Sequence, residues 1–248
     1  MATIGIFDSG SGGLSVLREI RKVLPSARFI YYSDNAHCPY GEKSPEYIRD
    51  RARAVTRLLL QRGAQVIVVA CNTATGAAIA TLRAEFPVPF IGMEPAVKPA
   101  ALGTKSGVIG VLATAGTLKA SKYLNTKGIY QDDVRIEEHV GEGFVQLVER
   151  GELDGPEAER VVRASLQPLL DAGADTIVLG CTHYPFLQRV IERLAGPGVR
   201  VIDPAPAVAR QLLKVMRERG IPETDPAPGL ELLSSGDPTT LNALAACL

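Results

Sequence analysis

Apolar runs of four to six residues alternate along this chain with longer stretches of helical period. The runs predict strands at Ile4–Phe7, Arg28–Ser33, Gln65–Ala70, Val88–Gly92, Gly107–Leu112, Val134–Glu138, Thr176–Leu179, Arg200–Ile202 and Glu231–Ser234. The longer stretches predict helices at Gly13–Leu24, Pro45–Arg62, Ala74–Phe86, Gly116–Leu124, Pro156–Ala172, Pro185–Ala195, Ala205–Arg219 and Pro238–Ala246. Strands that are apolar almost throughout, each followed by a helix, indicate an α/β fold with mostly parallel sheets covered on both faces.

The pattern also repeats. Ile4-Gly5-Ile6 returns as Ile109-Gly110-Val111. Val66–Thr73 (VIVVACNT) returns as Thr176–His183 (TIVLGCTH), each approached through a Gly-Ala, at Gly63-Ala64 and Gly173-Ala174. A strand ending in acid-Pro-Ala closes each half, at Glu94-Pro95-Ala96 and Asp203-Pro204-Ala205. The three landmarks recur in order at offsets of 105, 110 and 109 residues. The expectation is two similar α/β domains related by pseudo-symmetry, the first formed by 1–95 plus 206–248 and the second by 96–205, with a site between them. The last forty or so residues return to the first domain because the second is complete by Pro204.

Composition narrows the function. With 46% apolar residues in 248, the chain can bury a sizeable core. Lys+Arg and Asp+Glu both number 27, so no net charge draws it to nucleic acid or to an anionic membrane. No apolar run approaches the roughly 20 residues that span a bilayer. No leader pattern opens the chain, which is read as cytoplasmic, with its four cysteines as thiols. Metal binding is not expected: there are three histidines, no Cys-x-x-Cys and no His pair at ligand spacing.

The chemistry concentrates where the repeats carry cysteine. Cys71 and Cys181 each follow a buried strand, at the edge where open parallel sheets bind ligands. Backbone N–H groups of a following helix stabilise a thiolate there. One such cysteine is equally well a small filler of a strand end; a matched pair, followed by Asn72-Thr73 and Thr182-His183, points to two thiols serving one substrate. Cys38 and Cys247 lack this context and read as ordinary thiols. Asp8-Ser9-Gly10-Ser11-Gly12-Gly13 is a Gly-rich turn whose N–H groups and hydroxyls suit an anion. It is neither a Walker loop nor GxGxxG. Asp8 at its mouth suits the ammonium of a zwitterion, although a tight βα turn explains the glycines equally. Tyr40-Gly41 lies in a polar loop, Thr114 and Thr117 either bind a distal carboxylate or cap a helix, and His183 either positions or protonates a substrate group.

Phe7-Asp8-Ser9-Gly10-Ser11-Gly12-Gly13-Leu14-Ser15-Val16, Pro39-Tyr40-Gly41, Ala70-Cys71-Asn72-Thr73-Ala74 and Gly180-Cys181-Thr182-His183-Tyr184-Pro185 together resemble the motifs of bacterial glutamate racemases, in order and across nearly the whole chain. The resemblance implies a cofactor-independent isomerase of D- and L-glutamate that supplies D-glutamate for peptidoglycan, built as a homodimer and lacking an N-terminal regulatory extension. Cys71 would act on D-glutamate and Cys181 on L-glutamate, assisted by Asp8 and His183. Asp8-Ser9, Tyr40-Gly41, Asn72-Thr73 and Thr182-His183 match the family's substrate-binding pairs, and Glu149 a further acid near the site. One departure stands before Glu149: Val140-Gly141-Glu142-Gly143-Phe144 replaces the family's usual Ala-Cys-Pro. Rival readings are a racemase of aspartate or another small acid in the same superfamily, a non-catalytic amino-acid-binding protein with redox-sensing cysteines, and a hydrolase with one cysteine nucleophile.

Overall fold

A computed structural model describes residues 2–246 and 248; Cys247 lies outside them. The chain divides into two units, one running to Met93 and resuming at Ala205, the other covering Glu94–Pro204. The first contains β1 (Thr3–Asp8), α1 (Leu14–Val23), β2 (Arg28–Ser33), α2 (Pro45–Gln61), β3 (Val66–Val69), α3 (Asn72–Glu85) and β4 (Phe90–Ile91). The second contains α4 (Val97–Ala101), β5 (Val108–Ala113), α5 (Ala115–Leu118), α6 (Ser121–Tyr130), β6 (Arg135–Val140), α7 (Phe144–Glu149), α8 (Pro156–Asp171), β7 (Thr176–Gly180), α9 (Gln188–Ala195) and β8 (Arg200–Ile202). The chain then adds α10 (Ala205–Glu218), β9 (Gly229–Ser234) and α11 (Thr239–Ala245) to the first unit.

Both sheets are wholly parallel. Their strand orders are β4-β3-β1-β2-β9 and β6-β5-β7-β8. Read from its other edge, the second sheet repeats the first four strands of the first, with β5, β6, β7 and β8 standing for β1, β2, β3 and β4. The repeat in the sequence is therefore a repeat of topology, and β9 is the one strand without a counterpart. The central strands β1, β3 and β7 are buried at every residue, as strands covered on both faces must be.

The Gly-Ala and Ile-Gly echoes have one physical cause. Gly63 and Gly173 take φ of +90° and +88°, the left-handed conformation that ends α2 and α8. In each, the glycine N–H bonds the carbonyl three residues back (Leu60 or Leu170), and the alanine N–H bonds the carbonyl of Leu59 at 3.0 Å or Leu169 at 3.1 Å. This double bond closes the helix and turns the chain into β3 or β7. The leucine so fixed lies over the sheet where the first strand carries glycine. A Cβ on Gly5 would stand 3.2 Å from Leu59 Cδ1, and one on Gly110 would stand 3.0 Å from Leu169 Cδ1 and 2.7 Å from Ile177 Cδ1. Glycine is present at both places because a helix exit presses on the strand.

All nine expected strands form, but several helices differ. The stretch expected as one helix over Gly116–Leu124 is broken, because Ala120 is extended between α5 and α6. The break lets Tyr123 bury and donate its hydroxyl to Glu138 Oε1 at 2.5 Å. The stretch from Pro185 opens as a 3-10 turn, Tyr184–Leu187, before α9 begins. The periodicity missed α4 and α7, which at five and six residues are too short to show a period. Among the described residues no helix is long and apolar enough to cross a membrane.

Replacing Gly110 by Ala should overpack this contact and cost about 1–3 kcal/mol. Thermal unfolding followed by circular dichroism should then show a Tm lower by roughly 2–12 °C. A Tm within about 1 °C of the wild type would contradict the packing account.

Candidate functional site

In the first unit the polar groups gather where β1, β2 and β3 end. Asp8, the last residue of β1, is fully buried, and its Oδ2 accepts the Gly13 N–H at 2.8 Å, folding the Gly-rich turn back over the strand end. Tyr31 on β2 donates its hydroxyl to the Gly10 carbonyl at 2.9 Å and pins the same turn. Cys71 is the N-cap of α3: its backbone is extended, and its sulfur accepts the Ala74 N–H at 3.4 Å. A thiolate at this position would face the positive end of a 14-residue helix. Ser9, brought by the turn, places its Oγ 3.8 Å from the Cys71 sulfur.

Asn72 and Thr73 open α3 and are both buried. Among the described residues, neither polar atom of the Asn72 amide has a hydrogen-bond partner. A buried amide without partners costs stability, so its presence at a strand end marks a place for a polar ligand.

Tyr40 and Gly41 sit in a 3-10 turn, Tyr40–Glu42, that follows another at Asn35–His37. Tyr40 is buried in the same core as Cys71 and donates its hydroxyl to Asp34 Oδ2 at 2.5 Å. Arg51 on α2 grips the same carboxylate with two bonds, Nε to Oδ2 at 2.9 Å and Nη2 to Oδ1 at 2.7 Å. Burial by itself would raise the Asp34 carboxyl, but the hydrogen bonds from Arg51 and Tyr40 outweigh it and hold the group below the usual carboxylate range. Burial, and then the Asp34 charge, push the Tyr40 phenol far above its ordinary value, so it remains a neutral donor. Asp34, the anchor of Tyr40, was not among the residues the sequence singled out. The partner that would have revealed it, Arg51, lies 17 residues away on a helix.

The second unit builds its cysteine differently. Cys181 follows β7 and is buried. Its sulfur lies 3.7 Å from His183 Nδ1, and His183 Nε2 lies 2.7 Å from Glu149 Oε1. The imidazole is buried while the Glu149 side chain remains 21% exposed at the end of α7. With Nε2–H donated to the carboxylate, Nδ1 is turned to the sulfur, where it can accept the thiol proton, and Glu149 stabilises the imidazolium that results. Thr182 is buried beside them. Thr114 caps α5, accepting the Thr117 N–H at 3.3 Å, and the two hydroxyls lie 2.9 Å apart. Capping α5 is thus one role of Thr114, and it does not exclude a ligand at either hydroxyl.

Tyr184, the next residue, is fully buried. Burial and then the Cys181 charge push its phenol up. Its ring meets Phe144 edge-on at 4.8 Å, and its hydroxyl donates to the Gly141 carbonyl at 3.4 Å. A Cβ on Gly141 would stand 2.5 Å from that hydroxyl, so a side chain at this position would press on Tyr184. Within either unit taken alone, no three His, Cys, Asp and Glu side chains among the described residues converge on a metal-sized point. Cys38 is half-buried in the loop before Tyr40.

Three comparisons bear on these residues. The family model for Asp/Glu/Hydantoin racemase matches residues 4–212. A glutamate racemase of Methylococcus capsulatus is 52% identical over 235 residues, covering 95% of this chain and 87% of that one. The crystal structure of Escherichia coli glutamate racemase in complex with L-glutamate and the activator UDP-MurNAc-Ala superposes with a TM-score of 0.90 at 34% identity, covering 99% of this chain and 94% of that one. A Bacillus anthracis glutamate racemase isoform gives 0.87 at 32% identity, covering 99% and 93%.

Removing the Arg51 charge, as in Arg51→Met, should leave Asp34 buried and unpaired. The expected cost is about 3 kcal/mol, the low end for a buried pair because the Arg51 side chain is 26% exposed. In the wild type the depressed Asp34 carboxyl contributes stability above about pH 4 that is lost as pH falls through its lower folded value. In R51M the uncompensated carboxyl titrates above its unfolded value, so stability should fall as pH rises above about 4. Thermal melts between pH 4 and 8 check this; a variant more stable at pH 7 than at pH 4 would contradict it.

Proposed function

The chain belongs to the Asp/Glu/Hydantoin racemase family, and we propose that it interconverts L- and D-glutamate without a cofactor, by proton transfer at the α-carbon through Cys71 and Cys181. The observation that carries this reading is the placement of one buried thiol at the end of topologically equivalent strands, β3 and β7, in both units. Inversion of a carbon centre needs a base on one face and an acid on the other, and two thiols at equivalent positions meet that need. Glutamate as substrate is what the 52% identical Methylococcus capsulatus protein supports.

One cysteine, as thiolate, takes the α-proton; the other, as thiol, gives a proton to the opposite face. The thiol and thiolate have then exchanged places; the reverse reaction can start from this state, and proton exchange with solvent restores the original one before another turnover in the same direction. The charge that develops towards the α-carboxylate calls for donors aimed at it. The Gly-rich turn, Ser9, Asn72 and Thr73 in the first unit and Thr182 in the second are the donors read here. Asp8 keeps the substrate ammonium protonated, which lowers the cost of the carbanion. Tyr40 and Gly41 close on the substrate from the loop. Thr114 and Thr117 lie at the second unit's counterpart of the Gly-rich turn and serve the distal carboxylate.

The two bases reach thiolate by different means. Cys71 relies on the α3 N-terminus and its Ser9 neighbour, whereas Cys181 hands its proton to His183, which Glu149 holds. The family resemblance implies that Cys71 serves D-glutamate and Cys181 L-glutamate. A cytoplasmic homodimer supplying D-glutamate to peptidoglycan goes with this reading.

Cys71→Ala and Cys181→Ala should each lower racemisation by about 10²–10⁴-fold, the usual worth of a positioned acid or base. In D₂O, C181A should still exchange the α-proton of D-glutamate with retention, and C71A that of L-glutamate. Racemisation at the wild-type rate in either variant would overturn the two-thiol mechanism. Racemisation of aspartate in preference to glutamate, followed by polarimetry, would overturn the substrate.

A further inference from the structure

The strand without a counterpart ends against the loop that carries Tyr40. Strand β9 lies at the sheet edge, parallel to β2, with Ser33 opposite Ser234 in register. Immediately beyond that pair, the Asn35 side chain is filled by the C-terminal segment. Its Oδ1 accepts the Ser234 hydroxyl at 2.7 Å and the Gly236 N–H at 2.8 Å, and its Nδ2 donates to the Asp237 carbonyl at 2.5 Å. The Ala36 N–H, next in the loop, bonds Ser235 Oγ at 3.0 Å. Ser235 also helps hold the Asp34 carboxyl down, after Arg51 and Tyr40. Four hydrogen bonds between residues about 200 positions apart thus join 35–36 to 234–237.

Fit is close on the other side too. A Cβ on Gly236 would stand 3.0 Å from Asn35 Oδ1 and 3.3 Å from the Ala36 nitrogen. Only an amide of this length offers two acceptor positions and a donor at once; Asp has no donor and Ala has neither. The base of the loop is already set by the sheet, since the Asp34 N–H bonds the Asp8 carbonyl at 2.9 Å. The direction in which 35–39 leaves the strand is what the Asn35 contacts add. Tyr40 returns from that excursion to Asp34.

We propose that Asn35, clamped by Ser234–Asp237, is a positioning residue that sets Tyr40 and Gly41 for the substrate, so that the C-terminal segment is part of the binding apparatus and not merely an added edge. This rests on the reading of Tyr40-Gly41 as substrate contacts. A loop that must be ordered on binding weakens substrate and transition state alike, so the loss should fall on KM more than on kcat.

The test compares wild type, N35A, G236A and the double variant by kcat and KM for both glutamate enantiomers, by thermal melts, and by amide exchange of residues 36–41 against β1. N35A and G236A should each raise KM about tenfold with kcat changed less, and the double variant should be no worse than the poorer single one, because both break one clamp. Exchange of 36–41 should quicken while β1 is unaltered. KM values within about twofold of wild type, even with a lowered Tm, would overturn the proposal and leave the contacts purely structural. Should the wild type not racemise glutamate, the substrate reading fails separately. The clamp is then decided by exchange, upheld if 36–41 quickens in N35A and overturned if it does not.

Discussion

A parallel strand covered on both faces can carry no uncompensated polar group along its length, because each would be buried without water. Polar chemistry is therefore confined to the points where such strands stop. β3 and β7 are buried at every residue, and each delivers a cysteine within two residues of its end. The rest follows from holding those two ends still: the leucines of the α2 and α8 exits press on Gly5 and Gly110, and the same exits feed the chain into the cysteine strands.

Equivalent position does not produce equivalent surroundings. Cys71 runs straight into α3 and caps it, so helix N–H groups meet its sulfur. Cys181 is followed instead by the turn that presents His183, with α9 delayed until Gln188. In the proposed reading the first arrangement offers a thiolate the fixed dipoles of a helix, and the second offers the sulfur an imidazole held by Glu149. A shared topology has thus been given two different means to the same chemical state, which suits bases that must face the two faces of one carbon.

The strands, the repeat and the cysteine positions were legible in the chain because they depend on local pattern: an apolar run, a small residue, a thiol. The Gly-Ala echoes were visible but unexplained until the helix exits showed positive φ. Short elements escaped, since five residues in α4 carry no period. Long-range pairs escaped for a different reason. Nothing near Asp34 announces Arg51, and nothing near Asn35 announces Ser234, because such partnerships are made by the fold and leave no local spacing. Glu149 was reachable only through family resemblance; its 2.7 Å contact with His183 is a fact of tertiary structure.

The central claim is that two thiols serve one carbon. Its most direct measurement is a crystal structure of the wild-type protein with D-glutamate bound. The account predicts the Cys71 and Cys181 sulfurs on opposite faces of the substrate α-carbon, each within roughly 3.5–4 Å of it, as near-attack geometry requires. A substrate with only one sulfur at that distance, or with both on the same face, would contradict it.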